Sequence, residues 1–498
     1  MVGIVGMLGM MGRLVAAIAG IVLLCVSAAR GADEAPTKDE VNKLEKRVEQ
    51  QDDTIRKLEN RIDELEQGSP QATPPVSAPP AEKKNPDTAY SAEEIEAQMS
   101  PPKGHQSPVE NRATFEDHQE AAARPEDYVL DPQYRGFIPI PRTAFMVKFN
   151  PKPRLDLMET TRNPGDSRFR FAPALFPVQD TPDFDAGTEF AAGANGSQIR
   201  VDLRAPGLGG NLRLYYQNDF FGDDTTHMKY RLQHLYGQFH GVVGGFTYSV
   251  WEDPDAWPDT VDYEGPNAQI FARRPVLHYT RELAQGWNVT VGVEDPNTQI
   301  DVSGDPASSR RQLAPDGGFN IRWEPGSLGH LQLSTLVRGL AVRNGLVGHE
   351  EAVGWGVNLS GSIAINQSNS VQFLGVVGEG VGGLGNDSGF ENTDAAFDGD
   401  FDLKALPYQS GMIAFTHRWT DALRSTGTFG YVHVDPATQQ VIGAYKESYY
   451  GSVNVIYQLY KRLGIGFETL YGRREVKNGD DTNDVFRFQL GFVWSPFD

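Results

Sequence analysis

Basic side chains in this sequence recur at alternate positions, opposite apolar ones. Ile199, Val201 and Leu203 fall on one face of a two-residue period, and Arg200 and Arg204 on the other. Arg213 opposes Leu212 and Leu214, while Lys229 and Arg231 oppose Tyr230 and Leu232. Arg322, Arg338 and Arg487 follow by the same test. Successive side chains of a strand point to opposite faces. If the apolar face meets hydrocarbon, these cations therefore line the other side of the sheet. An Arg on a lipid face near mid-bilayer costs about 2–4 kcal/mol, which gives the sorting an energetic cause. Arg gathered around an aqueous path lowers the barrier for anions. The alternative is that these cations pair with acids of the same face, such as Asp202 and Glu468, and stiffen the wall.

One stretch concentrates the opposite charge. Residues 251–267 hold Glu252, Asp253, Asp255, Asp259, Asp262 and Glu264, interleaved with Trp251, Trp257 and Tyr263. Set across water from an arginine wall, such carboxylates make a transverse field that orients a dipolar or multiply charged solute. The bland alternative is an ordinary acidic external loop.

Other chemistries find little support. Gly378-Glu379-Gly380-Val381-Gly382-Gly383 fits GxGxxG, but no amphipathic helix follows to make it a dinucleotide site. There is no HExxH and no GxSxG, and His349-Glu350-Glu351 lacks the second His of a zinc motif. Asp480, Asp481 and Asn483 read as a solvated loop tip, and the ten histidines show no ligand spacing. The net charge of −21 argues against a nucleic-acid partner. No cofactor or metal is expected, and no enzymatic activity.

The elements that would position these residues divide the chain into four parts. Arg13, the apolar run Leu14–Leu24 and the small residues Ser27-Ala28-Ala29 read as an export signal over residues 1–29. Cys25, the only cysteine, lies inside it, which leaves the mature chain without disulfides or thiol chemistry. Residues 38–67 carry heptads with Val41, Val48, Ile55 and Ile62 at a, and Leu44, Gln51, Leu58 and Leu65 at d. That pattern predicts a parallel coiled coil, and both dimer and trimer are compatible with it. Residues 68–140 are rich in Pro, Ala, Glu and Lys and read as a disordered linker.

From residue 143 to 498 the period becomes two. Val353, Trp355, Val357, Leu359 and Ile363 oppose Gly354, Gly356, Asn358, Ser360 and Ser362. Sixteen or so strands are expected, near 146–160, 198–204, 211–220, 229–239, 241–248, 270–281, 287–293, 318–323, 330–340, 353–365, 370–378, 407–418, 424–432, 447–458, 463–473 and 485–495. Their connections alternate long and short. Short ones include Pro206–Gly210, Asn366–Asn369 and Tyr460–Arg462; long ones include 161–197, 249–269, 294–317 and 379–406. The expected fold class is an all-β transmembrane barrel of antiparallel strands, with short periplasmic turns and long outer loops. The acidic stretch is its third long loop, which in sixteen-stranded porins folds into the pore. Phe486, Phe488, Leu490, Phe492 and Trp494 line one face of the last strand, although the chain ends Phe497-Asp498 rather than on an aromatic.

Several segments carry a resemblance. Tyr230-Arg231-Leu232-Gln233-His234-Leu235-Tyr236-Gly237 is similar to the fourth strand of DcaP-type outer-membrane porins. Gly245-Phe246-Thr247-Tyr248-Ser249-Val250-Trp251-Glu252-Asp253, followed by Pro258-Asp259-Thr260-Val261-Asp262-Tyr263-Glu264-Gly265-Pro266-Asn267, resembles that family's most distinctive segment. Arg273-Arg274-Pro275 and Tyr279 resemble the strand that follows, adding Arg273 and Arg274 to the pore-lining candidates. The similarity is strongest over 195–300. Gln198, His278 and Arg274 depart from the residues usual there, so the basic wall is rearranged.

The resemblance implies a homotrimer held partly by periplasmic helices, with passive uptake of small anions, typically dicarboxylic aromatic acids. The expectation is thus an outer-membrane porin in contact with outer-membrane lipids, its N-terminal arm in the periplasm and a candidate for peptidoglycan contact. Two other readings stand beside it. A membrane-embedded hydrolase would need a nucleophile or acid pair beside a His at the rim, and none stands out. A tether to the cell wall would use the barrel only as an anchor, and the basic wall face argues against it.

Overall fold

The computed structural model describes residues 114–116, 118–123, 136–179, 181, 184, 187–205, 212–222, 228–343, 345–346, 348–460, 462–477 and 482–495. The export signal, the heptad segment and most of the linker lie outside them. Among the described residues the structure is β throughout, apart from 3₁₀ turns of three or four residues.

Twenty strand segments form one sheet, in which every ladder is antiparallel. Met146–Lys152 pairs with Gln198–Ala205, and the ladder continues through Leu212–Asp219, Arg231–Phe239, Val242–Tyr248, Arg273–Ala284, Trp287–Glu294 and Asp316–Trp323. It proceeds through Gly329–Arg343, His349–Ala364, Asn369–Glu379, Pro407–Arg418, Leu423–Val434, Tyr445–Tyr460 and Leu463–Val476 to Thr482–Trp494. That last strand pairs with Arg154–Thr160, separated from Met146–Lys152 by Pro153 alone. Each strand expected from the alternation is present, several of them longer at the ends that feed long connections. Short strands at Glu189–Gly193, Ser309–Arg311, Ala395–Phe397 and Leu403–Ala405 lie within those connections and were not expected.

The two faces of the sheet are sorted the opposite way from a soluble sandwich. Val453 is 65% exposed, whereas its neighbours Ser452 and Asn454 are 5% and 2% exposed. Phe149, Leu214, Leu235, Leu277, Val291, Leu333, Val353, Ile413 and Phe429 are likewise exposed on the outer face. The inner face buries Gln217, Gln233, Ser334, Asn358, Ser360, Ser448, Glu468 and Gln489. Exposed apolar area on this scale marks a surface made for something other than water.

The short connections are tight. His240 and Gly241 both adopt positive φ, 49° and 75°. This is the backbone a two-residue hairpin needs to match the strand twist.

Candidate functional site

The connection between Val242–Tyr248 and Arg273–Ala284 does not project outward. Its neck closes where the Ser249 amide donates to the Ala272 carbonyl at 3.0 Å, and residues 249–270 are buried. A buried loop must find partners for its own peptide groups, and the wall supplies them from many strands. Asn320, Gln332, Asn358 and Asn454 donate to the carbonyls of Val250, Glu252, Trp251 and Asp259. Glu468 accepts the amides of Val261 at 2.8 Å and Asp262 at 2.6 Å. Glycines leave room for the loop's bulk, since a Cβ at Gly356 would come within 2.6 Å of the Trp251 ring.

The six expected loop carboxylates meet different fates. Asp253 accepts from Arg322 at 3.0 Å, His330 at 2.8 Å and Ser360 at 2.6 Å. Asp255 accepts from the same guanidinium at 2.6 Å. Asp259 takes the Phe115 amide at 2.7 Å and pairs with Arg424. Glu264 reaches Arg170 at 3.4 Å. Asp262 accepts only backbone amides, of Phe171 and Gly265. Burial pushes its carboxyl up to about 8, with Arg487 opposing the rise and the nearby Glu468 and Glu264 adding to it. Glu252 accepts the Ser249 amide at 3.2 Å, and burial likewise raises its carboxyl well above the usual range.

Most of the expected cations also have counter-charges. Arg204 and Arg213 share Asp202 at 2.8 and 2.9 Å. Arg200 holds Glu120 at 2.6 Å, and Arg231 holds Asp219 at 2.5 Å. Arg274 and Arg338 meet on Asp316 at 2.8 and 3.1 Å, and Arg338 also reaches Asp394. Arg487 is buried, donates to the Arg168 carbonyl and lies 5.1 Å from the Phe171 ring centre. Lys229 is exposed beside the short bridge between Phe221 and Lys229.

Arg273 differs. Its guanidinium lies 4.2 Å from the centre of the Phe271 ring, and no carboxylate among the described residues pairs with it. It borders a cavity of about 220 Å³ with Arg170, Arg231 and Arg274, where Glu264 is the only acid in the lining. Asn297, Gln299 and Asn386 add polar groups there.

The fold has a counterpart among solved structures. The DcaP outer-membrane channel of Acinetobacter baumannii aligns with a TM-score of 0.61 over 70% of this chain and 97% of that one, at 18% identity. The fold is that of DcaP. An anion-selective porin from Comamonas acidovorans aligns at TM-score 0.46 and 10% identity, over 70% of this chain and 99% of that one. OmpT of Vibrio cholerae aligns at 0.44 and 12%, over 72% and 99%. No family model matches the sequence, and no curated protein does.

Within this DcaP-like fold, one group of residues had escaped the sequence reading. Residues 114–116 and 118–123, placed in the linker by composition, lie against the inner wall, with a 3₁₀ turn at His118–Ala121. Arg154 pairs there with Glu116 and with Asp156. The alternation of Arg154 and Asp156 with Leu155 and Leu157 was the available signal for that cation. Arg170, in an irregular connection, offered none.

Proposed function

We propose that the chain is an outer-membrane porin, a closed barrel of sixteen strands that passes small anions passively, dicarboxylates among them. The pairing of Thr482–Trp494 with Arg154–Thr160 supports closure. The exposed apolar outer face supports insertion in lipid, and the DcaP-like fold supports an outer-membrane setting. The trimer and the periplasmic arm rest on the heptads of residues 38–67 and on the family resemblance.

The observation that carries the anion preference is the cavity of Arg170, Arg231, Arg273 and Arg274, with its unpaired guanidinium at Arg273. An anion there meets a cation without having to displace an internal carboxylate. Asn297 extends this surface to a second, open cavity of about 510 Å³ lined by Arg310, Arg311 and Arg343. Together they form a basic approach that would concentrate anions before the loop. No catalytic step is part of this reading.

The test is conductance in a planar bilayer with reversal potential in a salt gradient. Three-step, anion-selective currents are expected. Cation-selective currents, or none from folded protein, would overturn the reading. The second reading, an anchor or tether, is favoured by one observation: residues 249–270 are buried, and residues 114–116 and 118–123 contact both that loop and the wall.

A further inference from the structure

Residues 114–116 and 118–123 are held by charge more than by apolar burial. Phe115, Ala121 and Ala122 are their buried apolar side chains. Around them the wall presents cations. Glu116 pairs with Arg154, and Glu120 with Arg200 at 2.6 Å and Lys148 at 3.5 Å. Arg200 also donates to the Glu116 carbonyl at 2.8 Å. Arg213 donates to the carbonyls of Glu120 and Ala122 at 2.7 and 2.9 Å, and the Tyr236 hydroxyl to that of Ala121 at 3.0 Å. Burial works to raise the Glu120 carboxyl, but Arg200, Lys148 and Lys152 overcome it and hold it at about 2.

The other side of the segment touches the acidic loop. The Phe115 amide donates to Asp259, and the His118 ring sits edge-on to Trp257 and Tyr263, 5.1 and 6.1 Å between centres. Thus the segment spans from wall to loop across the interior. Two carboxylates on a short stretch, each seated on an arginine, offer the wall the same chemistry as a small dicarboxylate.

We infer that residues 114–116 and 118–123 are a releasable plug, whose Glu116 and Glu120 occupy an anion site made by Lys148, Arg154 and Arg200. A dicarboxylate reaching that site competes with the plug and favours the unplugged channel. This rests on the porin reading and adds to it a second anion site, distinct from the cavity at Arg273, and a means of regulation.

The experiment compares the full-length chain with Glu116→Gln/Glu120→Gln in planar bilayers, with succinate as the probe. Heat-dependent gel mobility serves as the folding check. The variant is expected to spend at least about tenfold more time open and to lose its response to succinate, whereas succinate raises opening of the wild type. A companion variant, Ala121→Cys in a Cys25→Ser background, places a thiol at a position that is 0% exposed. An impermeant maleimide should label it slowly, and faster with succinate. Equal, succinate-independent conductance of wild type and variant, with no labelling, would overturn the plug and leave the porin standing. Absence of current from both would overturn plug and porin together.

Discussion

Two ends of one interior loop show how identical residue types reach opposite electrostatic outcomes. At one end Asp253 and Asp255 close on Arg322, with His330 and Ser360 completing the shell of Asp253. Past the other end, Arg273 stacks on Phe271 and has no carboxylate partner among the described residues. The first arrangement is a clamp, in which one guanidinium is shared by Asp253, Asp255 and Glu324 and geometry is fixed. The second leaves a cation available to a solute. Proximity to a matching side chain, rather than charge content, decides which one forms.

The largest effect in this comparison should come from breaking the clamp. Asp253→Ala leaves His330 and Ser360 without their acceptor, while Arg322 keeps Asp255 and Glu324. It should lower stability by about 2–3 kcal/mol, the usual cost of stranding buried polar groups, as read by unfolding in detergent. Arg273→Gln should do the reverse, changing stability by less than about 1 kcal/mol because no ion pair is lost. Its effect should appear as an anion-to-cation permeability ratio reduced by about tenfold, seen in the reversal potential.

The third test concerns Asp262, whose raised carboxyl makes the folded state hold a proton that the unfolded chain has given up. Its contribution to stability is fully present below the ordinary aspartate range, and is lost as pH rises through about 8. Between pH 7 and pH 9 the wild type should lose about 1 kcal/mol relative to Asp262→Asn. Equal pH profiles for the two would remove Asp262 as the titrating group. The smallest effect belongs outside the interior. Lys404 lies 3.7 Å from both Asp398 and Asp402 on an exposed surface. Lys404→Ala should change stability by no more than about 1 kcal/mol and leave selectivity unaltered.

The wall was legible because a sheet with one apolar and one polar face obeys a simple period of two. Pro407–Arg418 has the bounds its alternation predicts, and the neighbouring strands differ by a few residues. No such rule acts on the long connections, so Ala395–Phe397 and Leu403–Ala405 left no trace in the pattern. The interior was half legible. Alternation pointed Arg200, Arg213 and Arg322 inward, but not toward Glu120, Asp202 and Asp253, because pairing depends on contacts distant in sequence. Arg322 and Asp253 are 69 positions apart. Residues 114–116 and 118–123 have the polar composition of a linker, and their order comes from cations the wall supplies.

Pro153 marks the place where the first strand passes from one neighbour to another: Met146–Lys152 serves Gln198–Ala205, and Arg154–Thr160 serves the last strand. Gln489 and Asp156, which hydrogen-bond at this seam, are 333 positions apart. Nearly the whole wall must therefore be made before its two free edges can meet. Until then each edge presents unpaired peptide groups that invite pairing with other chains, and closure over so long a span is intrinsically slow. Loss of the final strand would leave Arg154–Thr160 and Leu463–Val476 each short of a neighbour, two open edges where the structure has a seam.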